Sequence, residues 1–154
     1  MKVDVSTPLG CSAEAAWNEV QKTSLLRHVI RPLARVTAVD PSGFPERWRE
    51  GMTFRCRTYI FGFIPIGVRT LRFRRIDAVA REIVISESDP LVRRWDHTIS
   101  IAPAGARRSI YRDVIDLDAG ALTLVVWAWT SWFYRHRQRR WRALAPTLGS
   151  TDPP

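Results

Sequence analysis

Apolar and polar positions alternate over residues 2–7, and Pro8 and Gly10 break the run, so the chain opens on a strand. Ser12 then reads as a helix N-cap, with Glu14 in the first turn favourable to the helix dipole. Ala16, Trp17 and Val20 follow at helical spacing, which predicts a short helix ending near Gln21. Thr23 or Ser24 caps a second short helix carrying Leu25, Leu26, Val29 and Ile30, and Pro32 stops it. From there the period changes to two. Strands are predicted over 33–40, 52–58, 68–76, 82–87, 94–102 and 108–118, separated by Pro/Gly-rich turns.

The last element has the opposite period. Leu122, Val125, Val126, Trp129, Trp132, Phe133, His136 and Arg140 recur at three-and-four spacing, which predicts an amphipathic helix over 122–145. A run of antiparallel strands cannot cover its own apolar face, so this helix must do so, with the Val125/Trp129/Phe133 side turned to the sheet. The expected fold class is α+β: a curved seven-stranded antiparallel sheet, two short helices, and a long C-terminal helix enclosing a cavity. One domain is expected over 1–148, with a disordered tail over 149–154.

Four local patterns sit in that order along the chain. They are Ser12-x-Glu14-x-x-Trp17, Trp95-Asp96-His97, Tyr111-x-Asp113, and Ala119-Gly120-x-Leu122-Thr123 before the long helix. Their order and spacing resemble the START/SRPBCC superfamily, the helix-grip fold of the major birch pollen allergen. The bacterial branch labelled polyketide cyclase or lipid transport is the most similar. The resemblance covers essentially the whole chain and implies a ligand cavity between sheet and helix. It fixes no chemistry, because one fold hosts many functions.

On alternation, Trp95, His97, Ile99 and Ile101 share the apolar face of one strand, and Tyr111, Asp113, Ile115 and Leu117 that of the next. A three-residue turn at Ala104-Gly105-Ala106 places His97 opposite Asp113, and a slip by two places it opposite Tyr111; cross-strand neighbours touch in either case. A carboxylate beside a buried imidazole raises its pKa, which makes His97 and Asp113 a candidate acid–base pair. The bland alternative is a polar pair satisfied within the core. The expected cavity wall is Phe54, Trp95, His97, Tyr111, Asp113, Trp129 and Phe133. The turn over 61–67, with four large apolar residues at a hairpin tip, is expected at one end of the cavity.

Charge adds a second question. The formal net charge is +9, almost all from arginine, since Lys2 and Lys22 are the only lysines. Arg135, Arg137, Arg139, Arg140 and Arg142 form a basic cluster, read either as solvated charge at a helix C-terminus or as a patch for the phosphates of lipid or RNA. Coenzyme-Q-binding and ribosome-associated members of the superfamily imply the second possibility.

Other classes lose support. No GxGxxG, Walker A, GxSxG or HExxH pattern occurs, and three histidines without ligand spacing predict neither a metal site nor a cofactor. Cys11 and Cys56 form no CxxC and read as reduced core thiols. The N-terminus shows no signal-peptide pattern, and the apolar stretch 121–133 is shorter than the about 20 residues that span a bilayer, so a soluble cytoplasmic protein is expected. The leading expected function is binding, or carriage, of a hydrophobic small molecule or lipid. The alternatives are an aromatase/cyclase-type enzyme using His97 and Asp113, and an adaptor docking RNA or an anionic membrane through the basic helix end.

Overall fold

The computed structural model describes residues 1–149. The expected tail lies outside the described residues from position 150 on, and Gly149 closes a 3-10 turn, Ala145–Gly149. The elements in chain order are β1 Lys2–Leu9, α1 Ala13–Val20, α2 Thr23–Val29, β2 Ala34–Ala38, β3 Thr53–Ile60, β4 Ile64–Asp77, β5 Glu82–Asp89, β6 Val92–Pro103, β7 Ser109–Asp118 and α3 Thr123–Leu144. The strands form one seven-stranded antiparallel sheet in the order β1-β7-β6-β5-β4-β3-β2. Such a sheet has two edges, β1 and β2, and α1 and α2 are inserted between them in sequence.

Local chemistry explains most boundaries. Ser12 Oγ accepts the Ala15 N–H at 3.1 Å, the N-cap the sequence predicts for α1. The cap predicted for α2 differs: Lys22 holds that position without a side-chain capping bond, and the Thr23 hydroxyl instead donates to Pro45 O at 2.7 Å. Thr23 is buried, so its hydroxyl serves the long β2–β3 loop rather than its own helix.

Register is the main correction in the sheet. Ile99, not His97, lies opposite Asp113, and His97 lies opposite Ile115. The β6–β7 turn is longer than three residues: Pro103 pairs with Ser109, and Ala104 N–H bonds Arg108 O at 3.0 Å across the tip. A shift by two preserves the face of every side chain, so the alternation argument survives the change.

The second correction concerns α3. Its buried face is Thr130, Ser131, Tyr134, Gln138 and Trp141, whereas Val125 is 69% exposed and Trp129 and Phe133 are half-buried. The helix is held at its two sides by polar bonds. Trp127 Nε1 donates to Lys2 O and Gln138 Nε2 to Val5 O on β1, while His136 Nε2 donates to Arg31 O and Arg140 Nε to His28 O at the end of α2. Between those fixings the N-terminal half stands off the curved sheet, so the side expected to pack on strands borders open space. The larger apolar core lies under α1 and α2, around Trp48, Phe73 and Trp141; a smaller one joins Val3, Trp95, Ile115, Leu117 and Tyr134.

Candidate functional site

The interior space is divided. An outer cavity of about 350 Å³ lies between the N-terminal half of α3 and strands β3 to β6; Trp95, Trp129, Phe133, Ile66 and Leu91 are among its walls. An inner chamber of about 60 Å³ lies deeper, against α2 and Trp141, and borders His97, Tyr111 and Asp113. Leu26, Leu71, Glu87 and Arg137 line both spaces and form the partition. The residues expected on one wall are thus shared out: Trp95, Trp129 and Phe133 meet the outer cavity, and His97, Tyr111 and Asp113 meet the inner chamber. Phe54 meets neither. Its ring lies tilted against Phe44 and edge-on to Trp48 at ring-centroid distances of 5.0 and 5.6 Å, beside a separate surface cleft.

Around His97 the structure assembles a closed polar network. Nε2 stands 2.9 Å from Asp113 Oδ1, and Nδ1 stands 3.5 Å from Glu87 Oε1 and 3.4 Å from the Tyr134 hydroxyl. Asp113 also accepts from the Tyr111 hydroxyl at 2.9 Å and from Gln138 Nε2 at 3.0 Å. His97 and Asp113 are buried, at 2% and 0% exposure. Both ring nitrogens therefore face carboxylates, so a protonated ring donates to each, while a neutral ring donates through Nε2 to Asp113 and accepts from the Tyr134 hydroxyl at Nδ1. Burial opposes the charge, but the bonds to Asp113 and Glu87 outweigh it, so the His97 pKa is raised above its ordinary value. Burial likewise pushes the Asp113 and Glu87 carboxyls up, and the His97 bond to each, with the charges of Arg137 and Arg69 respectively, carries them below their ordinary values instead.

Two arginines complete the site. Arg69 bonds Glu87 Oε2 at 3.0 Å and Asp89 Oδ2 at 2.6 Å, with its guanidinium 4.7 Å from the centre of the Trp95 ring. The Arg137 guanidinium lies 4.5 Å from the centre of the Tyr134 ring. Arg137 thus leaves the basic cluster for the cavity, and Arg140 is engaged with His28 O, so Arg135, Arg139 and Arg142 remain as the exposed members. Glu87, Arg69, Tyr134 and Gln138 carry no motif. Alternation still marks the first two, since Glu87 follows Ile83 and Ile85 on one strand face and Arg69 precedes Leu71 and Phe73 on another.

Two arginines (Arg69, Arg137) and His97, whose pKa is raised, stand among three carboxylates (Glu87, Asp89, Asp113). Among the described residues, no group of three His, Cys, Asp or Glu side chains is placed to share a metal ion. Cys56, on the outer cavity, is held as a thiol, because burial pushes its pKa up to about 11.

Residues 7–144 match the family model described as Domain of unknown function (DUF8410). The chain belongs to that family. A search of curated proteins finds no match. Among solved structures, a START superfamily protein from Mycobacterium smegmatis superposes with a TM-score of 0.70 at 14% identity, covering 96% of this chain and 98% of that one. The Zhui aromatase/cyclase from Streptomyces sp. R1128 gives 0.63 at 15% identity, covering 97% and 98%. Norcoclaurine synthase from Thalictrum flavum gives 0.71 at 12% identity, covering 98% and 89%. At those identities the likeness is one of fold, the helix-grip fold described above. No helix among the described residues is long and apolar enough to cross a membrane.

Proposed function

We propose that the protein binds, and carries, an uncharged hydrophobic small molecule in the outer cavity, with an acceptor-bearing end directed at the partition. One observation carries this reading. Five buried side-chain atoms on the cavity wall have no protein partner: Thr58 Oγ1, Arg69 Nε, Trp95 Nε1, Thr130 Oγ1 and Arg137 Nε. All five can donate, and buried donors without acceptors are costly unless something else accepts from them. The rest of the wall is mostly apolar, the usual composition of a small-molecule pocket. Two arginines already stand against three carboxylates, so a ligand with carbonyl or hydroxyl oxygens suits the site better than an anion.

Native mass spectrometry of the purified protein, followed by organic extraction, tests the proposal together with uptake of the uncharged probe N-phenyl-1-naphthylamine. Enhanced probe fluorescence, reversed by the extracted molecule, supports it. A protein that retains no molecule and leaves the probe dark would overturn it.

The aromatase/cyclase neighbour motivates a second reading, in which the protein acts on its ligand. Its structural support is that Glu87 and Tyr134 touch both His97 and the outer cavity, a route by which the imidazolium proton reaches a bound carbonyl. Turnover of a β-polyketone thioester that is lost in His97→Gln, with probe uptake retained, supports catalysis. Uptake without turnover leaves binding and carriage.

A further inference from the structure

The mouth of the outer cavity opens through a patch of exposed apolar side chains drawn from three segments. Phe61 and Phe63, at 49% and 73% exposure, form the β3–β4 tip; Leu91, at 51%, forms the β5–β6 turn; Leu124 and Val125, at 64% and 69%, lie on the first turns of α3. These are the segments whose Ile60, Ile66, Leu91 and Val125 line the cavity, so the patch surrounds its entrance. On α3 the apolar stripe continues at three-and-four spacing through Trp129 to Trp132, which is itself 44% exposed. A monomer in water rarely leaves large apolar residues grouped in this way.

The tip is also built to hold its position. Phe61 adopts a left-handed backbone, φ 51°, in which a bulky residue is strained, and its ring stands edge-on to Trp129 at 6.1 Å. Arg35 Nε bonds Gly62 O at 3.1 Å from the other side. Strain retained at an exposed aromatic tip points to a contact made there.

We infer that this mouth docks on an anionic lipid bilayer, with the apolar patch among the acyl chains and a ring of arginines at the headgroups. The charge pattern selects this occupant. Arg35 at the tip, Arg93 against Gly120 at the start of α3, and Arg135 one turn beyond Trp132 are exposed at the margin of the patch. Of the carboxylates on the neighbouring turns, Asp89 is paired with Arg69, and Asp118 accepts the Gly120 N–H and faces both Arg93 and Arg94, so arginine outnumbers acid there. An apolar centre within a cationic margin matches an anionic membrane surface, where tryptophan and arginine both favour the interface. A second copy of a chain with net charge +9 would instead set like charges against each other. Docked in this way, the cavity opens into lipid and an apolar ligand passes without crossing water. The surface is distinct from the basic end of α3, and its docking does not require the cavity to be filled.

The test is co-sedimentation of the full chain with phosphatidylcholine vesicles, with and without phosphatidylglycerol, over a range of salt. Binding that requires phosphatidylglycerol and weakens with salt is expected. The Phe63→Ser/Trp132→Ser variant should lose roughly tenfold in vesicle affinity with its circular dichroism and probe uptake unchanged, and Arg35→Gln/Arg93→Gln should flatten the salt dependence. Three outcomes overturn the inference. They are no vesicle binding, binding abolished by Arg139→Gln/Arg142→Gln but not by the mouth variant, and a dimer in sedimentation velocity that the mouth variant dissociates. Probe uptake is read in the same samples, so a failed docking surface is distinguishable from a failed cavity.

Discussion

Over residues 123–133, α3 leaves Leu124 and Val125 to solvent and turns Trp129 and Phe133 to an open cavity; over 134–144 the same helix buries Tyr134, Gln138 and Trp141. Large apolar side chains of the first half stay open while the polar Tyr134 and Gln138 of the second are buried, the reverse of what amphipathicity alone suggests for those positions. The difference teaches where each kind of group is tolerated. Tyr134 and Gln138 are buried because each has a partner, His97 Nδ1 in one case and Asp113 and Val5 O in the other. The apolar half needs no fixed partner, since exposure costs it only in proportion to area and a ligand or lipid can recover that cost.

The sharpest break of this comparison is at the polar end. Asp113→Ala leaves His97, Tyr111 and Gln138 without their shared acceptor inside the protein, and the loss should be about 3–5 kcal/mol, read from urea unfolding. A loss below about 1 kcal/mol would mean that the network is not closed.

The next effect is on titration. His97 should titrate above its ordinary value of 6.5 by NMR, fall in Asp113→Asn, and fall further when Glu87→Gln is added, since each carboxylate faces a different ring nitrogen. The stability contributed by the raised His97 is fully present below 6.5 and is lost as pH rises through its folded value. The lowered carboxyls contribute stability above their ordinary values of 3.8 for Asp113 and 4.5 for Glu87, and lose it as pH falls through their folded values. All three contributions are intact at about pH 5.5, so the urea midpoint should be higher there than at about pH 8.5. A flat profile, or an imidazole indifferent to both carboxylates, would leave His97 a neutral core residue.

Smaller effects belong to the cavity and its mouth. Thr130→Val removes a buried hydroxyl that has no protein partner while keeping its shape. Stability should hold or rise by up to about 1 kcal/mol, and retention of any extracted hydrophobic molecule bearing an acceptor should weaken relative to the uncharged probe. Phe63→Ser, at the exposed tip, should change stability by no more than about 0.5 kcal/mol by the same urea titration. A larger loss would mean that the tip packs on the protein after all.

Periodicity alone determined a good deal here. A period of two set which side chains of β6 and β7 turn inward, so Trp95, His97, Tyr111 and Asp113 could be chosen before their register was known; a period near 3.6 located the long helix, and the order of elements led to the helix-grip fold. These properties are legible because each depends on neighbours a few residues apart. Tertiary structure decided the rest. The longer β6–β7 turn set the register, the stand-off of α3 made Val125, Trp129 and Phe133 a cavity wall, and the partition placed His97 in the inner chamber. Glu87 and Arg137 are 50 residues apart in sequence and reach the same partition only when β5 and α3 close on it. Charges brought together in that way leave no periodic trace, because the energy between them depends on distances and dielectric fixed after folding.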